Sequence, residues 1–450
     1  MKKFFVIAAA ALALVACNKE QKFAEEPKAD AIAVGFDIYA ARGIDTKTGF
    51  SGPIKDTDVL KGTEGFGVFA YYTNGSEYDS NSLPNFMYNQ QVKWDGSSAW
   101  TYAPVKYWPN EYGANAVADE RDKVSFFAYA PYVEVTPSNG KITAPVEETT
   151  WGITGLTRNT ANGDPMVKYM VSFERDKQVD LLWGVAPSEA EAPGWETSNE
   201  NSPQVFLKGS PWLNVERPKT AADQKLKFVF MHALSGLAVN IDADPDIATH
   251  DGTTAIAAGT KVYVRSVTFS GFALKGALNL NNTIQALPYW KDYAGVDDLM
   301  TGEDVTIFDG RKDGKEGYLD AAAPNEKVLG LQADIISNDG NTTSGVTAVP
   351  THLFDADEIF VIPTGDKVNV TIVYDVETED ANLAGYLSDG STPGSRVQNV
   401  ITKKAVLPAL LAGMRHTINI HLGLTSVKFD VEVEEWQGPS DTDAWLPENF

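Results

Sequence analysis

The feature that most limits what this chain can fold into is the alternation of apolar and polar residues with a period of two. From Val427 to Glu434, Val427, Phe429, Val431 and Val433 fall on one face, and Lys428, Asp430, Glu432 and Glu434 fall on the other. That is the spacing of a half-buried β-strand. The same pattern returns in residues 226–230, 262–269, 368–374 and 418–422. Clusters of Gly, Asn, Asp, Ser and Pro separate these runs, as in residues 337–341 and 388–393. There Gly supplies positive φ, Pro fixes φ, and the short polar side chains bond their own backbone, so these clusters predict turns. No long stretch carries helical periodicity. Hydrophobic residues at 43% and aromatic residues at 11% are enough to build cores. The expectation is an all-β protein made of sandwiches rather than a closed barrel.

The first residues have a different character. Lys2 and Lys3 precede an apolar run from Phe4 to Ala16. A membrane-spanning helix needs ~20 apolar residues, so the run has the length of a signal-peptide core instead. It ends Leu14-Val15-Ala16-Cys17, which resembles the lipobox of Gram-negative lipoproteins. Residues 1–16 are expected to be a signal peptide, and Cys17 the acylated first residue of the mature chain. Cys17 is the only cysteine, so neither an intrachain disulfide nor a cysteine metal site can form. Residues 17–30 are charged and poor in large apolar groups, which suits a tether that does not fold. Several acyl chains, at ~0.8 kcal/mol per buried methylene, would hold such a chain firmly at a membrane.

Net charge excludes one class of partner. The formal charge is −24, and removing residues 1–16 takes away two lysines and no acids, which moves it to −26. Such a chain has no backbone-neutralising surface for nucleic acid. A break is expected at 220/221, within the polar, proline-bracketed interval between Glu196 and Leu226. It would leave domains at 43–220 and 221–450, both of ordinary size.

The densest chemical signal is an aromatic block from Phe86 to Pro109, with Asp95-Gly96 as a hairpin turn inside it. Trp94, Trp100 and Trp108 could form a stacking platform for glycans. The same rings could equally be cross-strand pairs inside a core.

It is in this block that a family resemblance emerges. NFMYNQQVKWDGSSAWTYAPVKYWPN followed by KVSFFAYAPY resembles the fimbrillin family of pilus subunits, particularly its Mfa-like branch. Further segments follow in the family's order: DPMVKYMVSF, VDLLWGVA, FVFMHALSGLAVNI and INIHLGLTSVKFDVEVEEW. The resemblance as a whole spans Ile32 to Trp436. The resemblance implies two tandem β-sandwich domains of transthyretin-like fold and a lipoprotein precursor delivered to the outer membrane. It also implies assembly with other fimbrial subunits into type V pili at the cell surface. In such proteins an Arg-specific protease frees the first strand of the N-terminal domain, and a neighbour's strand then fills the groove. Strand addition of this kind draws affinity from ladder hydrogen bonds and specificity from alternate side chains.

The parts for this are present. Ile32, Val34, Phe36 and Ile38 form one apolar face within residues 31–42, the expected removable strand, and Arg42-Gly43 is the expected processing site. The donor could be Val427, Phe429, Val431 and Val433, or the tail from Gln437 with Trp445, Leu446 and Phe450 as anchors. An alternative function is a surface lipoprotein that does not polymerise and binds glycans through Trp94, Trp100 and Trp108.

Catalytic signatures are lacking, so no enzyme and no cofactor or metal are expected. His416 and His421, five apart on one strand, would point to opposite faces and make a poor metal pair. No nucleophile elbow surrounds His232, which is expected to be structural. Asp242, Asp244 and Asp246, and Asp355, Asp357 and Glu358, have oxygen ligands suited to calcium but match no EF-hand loop.

Overall fold

The computed structural model describes residues 31–38, 58–109, 122–143, 151–171, 178–186, 210–217, 225–243, 260–270, 273, 275–281, 289–291, 305–309, 336–337, 347–348, 351–352, 359–363, 368–387, 390–407, 410–422 and 427–435. The chain is all-β, as the alternation requires. Among the described residues the one α-helix is the single turn Asp58–Lys61. None of their helices is long and apolar enough to cross a membrane.

The described residues form four sheets. The largest has eight strands. Seven run in the order Phe36–Ile38, Leu226–His232, Leu182–Val185, Lys123–Ala130, Phe66–Tyr72, Met87–Trp94 and Trp100–Thr101, and Trp212–Glu216 also pairs with Lys123–Ala130. Its central strand reads KVSFFAYA and is buried along almost its whole length. A strand covered on both faces needs apolar residues on both. Here Phe127 and Tyr129 enter one apolar cluster, while Val124, Phe126, Ala128 and Ala130 enter a second.

The first cluster lies between this sheet and one built from Val135–Thr136, Lys141–Ile142, Gly152–Leu156, Met166–Met170, Lys275–Asn279 and Tyr289–Lys291. It continues into the remaining two sheets, through Leu237, Val239 and Ile241 on one and Val264, Val267, Val370 and Ile372 on the other. In those sheets the alternation is plain. Along Met414–Leu422, residues 416, 418, 420 and 422 are buried and their neighbours are not.

The sheets do not divide at 220/221. Leu226–His232 pairs antiparallel with Leu182–Val185, and Lys275–Asn279 pairs antiparallel with Met166–Met170. Strands from beyond the expected break therefore complete sheets begun before it. The polar interval does mark a connection, but composition says nothing about which sheet the next strand joins. The chain changes sheet later, between Leu226–His232 and Ser235–Ala243. There Leu234 accepts a backbone hydrogen bond from Gly413, and Ala233 donates one to Leu181.

Candidate functional site: the groove under the first strand

Phe36–Ile38 forms one edge of the eight-stranded sheet, and residues 31–35 lead into it. The side chains of residues 31–38 alternate as the sequence predicts. Ile32, Val34, Phe36 and Ile38 are 7%, 1%, 1% and 9% exposed, while Ala31 and Ala33 face solvent. The backbone changes partner midway. In the first half, Val34 N–H donates to Lys106 O and Trp108 N–H donates to Ile32 O, both at 2.9 Å. These two bonds flank the antiparallel bridge Ala33↔Tyr107. In the second half, Leu226 N–H donates to Gly35 O at 2.8 Å, and Phe36–Ile38 runs parallel to Leu226–Phe228. The eight-stranded sheet's other pairings are antiparallel.

Beneath the strand is the second apolar cluster, with Phe66, Trp100, Trp108, Phe126, Leu226, Phe228 and Phe230 among its members. Phe36 lies at its centre. Its ring is 5.4 Å from Tyr102, 6.0 Å from Phe126 and 6.2 Å from Phe228, centroid to centroid. Burying a side chain of this size contributes about 1.5–3 kcal/mol, so four contribute about 6–12 kcal/mol as an upper bound. The net worth of a backbone hydrogen bond is about 1 kcal/mol. Apolar contact therefore dominates the hold on the strand, and the hydrogen bonds set its register.

One side chain does both. The Tyr102 hydroxyl donates to Val34 O at 2.7 Å and accepts from Lys106 N–H at 3.2 Å, while its ring lies against Phe36. Burial, opposed by the Lys106 backbone hydrogen bond, pushes the phenol from the ordinary 10 up to about 12. It is protonated at neutral pH and free to donate. Sequence reading did not single out Tyr102. The available signal was its position between Trp100 and a proline-bracketed stretch, which breaks the strand pattern where the chain folds back over residues 32–34.

The glycan platform requires correction. Trp100 and Trp108 are 6% and 5% exposed, and both belong to the cluster under the first strand. Trp100 packs on Phe66 at 5.3 Å and Trp108 on Phe126 at 5.5 Å. Trp94 is half-buried at the rim, edge-on to Trp100 at 5.7 Å and with Lys61 Nζ 4.6 Å above its ring. The apolar rings were worth more as a floor for the first strand than as an exposed surface.

Val427–Glu435 pairs antiparallel with Met414–Leu422 along its length, from Leu422↔Val427 to Met414↔Glu435. Val427 is buried, and Phe429 and Val431 pack partly against the larger core. Val433, paired with His416, is 45% exposed. Cys17, Arg42, Gly43 and the tail residues Trp445, Leu446 and Phe450 lie outside the described residues, as do Asp244, Asp246, Asp355, Asp357 and Glu358.

His232 and His416 are buried. His232 Nδ1 is 2.7 Å from Asp180 Oδ2 in a buried pair. His416 points into the core, where burial lowers its pKa from the ordinary 6.5 despite opposing backbone hydrogen bonds. His421 lies on the other face, 3.2 Å from Asp430. Among the described residues no group of three or more His, Cys, Asp or Glu could hold a metal.

No family model matches the chain. It is similar over nearly all its length to the fimbrium subunit Fim1C of Phocaeicola vulgatus, 25% identical over 455 residues that cover 98% of each chain. Its fold is similar to the crystal structure of a fimbrial protein from Bacteroides vulgatus, at a TM-score of 0.52 and 20% identity. That match covers 90% of this chain and 99% of the other. The resemblance read from the sequence is borne out.

Proposed function

We propose that this fimbrillin-like chain is a structural subunit of surface fimbriae, delivered as a lipoprotein through Cys17 and assembled by strand exchange. Cleavage after Arg42 would release residues 31–42 together with the lipid. The groove beneath Ile32, Val34, Phe36 and Ile38 would then take an extended segment from a neighbouring subunit. The observation that carries this reading is the placement of residues 32–38. Phe36–Ile38 is an edge strand, and the alternate side chains of residues 32–38 fill an apolar groove. Uncovering that groove would expose a patch too apolar to stay in water, which drives recapture of a strand. As donor, the tail from Gln437 suits this better than Val427–Glu435, whose departure would uncover Phe429 and Val431 of the subunit's own core.

The test is treatment of the purified protein with an Arg-specific protease. The reading expects a new N-terminus at Gly43 and the appearance of polymers, with the Arg42→Ala variant staying monomeric. An intact Arg42-Gly43 bond and no polymers would leave a lipid-tethered protein that does not assemble this way.

A further inference from the structure

The segment from Tyr102 to Trp108 is more than a cover over the first strand. Two of its backbone groups bond the strand: Lys106 O accepts from Val34 N–H, and Trp108 N–H donates to Ile32 O. The Tyr102 hydroxyl adds a third contact, on the carbonyl of Val34. These contacts read only main-chain groups, and they demand an N–H at the position of Val34. Proline is excluded there. Next to them, Tyr102, Phe126 and Phe228 surround Phe36 with centroid distances of 5.4–6.2 Å in tilted, edge-on and near-parallel arrangements. The three rings define one position that favours an aromatic side chain. A one-residue slip would turn every apolar side chain of the strand out of the groove.

We infer that Tyr102 is the positioning residue of this groove. Its hydroxyl fixes the strand's register by holding one carbonyl, and its ring completes an aromatic box. The groove thereby takes an extended segment with apolar residues at four alternate positions, an N–H at the second and an aromatic ring at the third. For the resident strand this follows from contacts within one chain. For an incoming strand it rests on the strand-exchange reading.

The test uses the intact chain and needs no assembly, so its failure is distinct from failure of that reading. Amide hydrogen exchange is followed at Val34 and Trp108, with amides of Lys123–Ala130 as the internal reference. Tyr102→Phe keeps the ring and removes the hydroxyl. It should raise exchange at Val34 and Trp108 by about tenfold while the reference amides stay unchanged. Tyr102→Leu, which also removes the ring, should raise exchange at both amides further. If Tyr102→Phe exchanges like the parent protein, the hydroxyl has no positioning role and the inference is wrong. A uniform rise across the reference amides as well would mean that Tyr102 serves general stability, and would overturn it equally.

Discussion

At the scale of single residues, the chemistry of this protein lies in aromatic side chains with a polar end. Tyr102 and Tyr88 are both pushed up to about 12, in each case chiefly by burial, and each donates its hydroxyl to a backbone carbonyl. The consequence for pH has a definite sign. A phenol whose folded pKa lies above the ordinary 10 contributes stability that is fully present below pH 10 and is lost as pH rises towards 12. Chemical denaturation at several pH values should therefore show a midpoint that falls across that window. Tyr102→Phe should fall less steeply than the parent, and parallel curves would deny Tyr102 a part in it. The residue types were legible in the sequence, but their roles were not. Trp94, Trp100 and Trp108 look alike in a linear string, and the strand that buries two of them lies some 70 residues away.

At the scale of elements, strands were far easier to read than pairings. Alternation alone located strands at residues 36–38, 226–230, 368–374, 418–422 and 427–433, because a period of two is a local property of the chain. Nothing local tells Phe36–Ile38 that its neighbour is Leu226–Phe228, or that the two run parallel. The pairing of Leu226–His232 with Leu182–Val185, on either side of the expected break at 220/221, is equally non-local. Two of the edge strands, Phe36–Ile38 and Val427–Glu435, also differ in how they are held. The apolar side chains of the first are all buried, whereas those of the second pass from buried Val427 to exposed Val433. Phe36→Ala should thus cost about 3–5 kcal/mol in equilibrium unfolding. Val433→Ala should stay within about 0.5 kcal/mol. Equal costs would mean that the first strand is not anchored by its side chains.

At the scale of the whole molecule, the proposed strand exchange requires that the first strand be a replaceable occupant of its groove. The pair Ala33 and Tyr107 allows this to be tested directly. They face each other in an antiparallel bridge flanked by the hydrogen bonds Val34 N–H to Lys106 O and Trp108 N–H to Ile32 O. That is the closely spaced, non-hydrogen-bonded type of pair, with Cα atoms about 4.5 Å apart. Such a separation lies within reach of a disulfide. The decisive measurement is polymer formation by the Ala33→Cys, Tyr107→Cys variant in a Cys17→Ser background, after Arg-specific proteolysis, with and without reductant. Strand exchange predicts that the oxidised protein stays monomeric because the cut strand cannot leave, and that reduction restores polymers. Oxidised protein that polymerises as readily as reduced protein would contradict it.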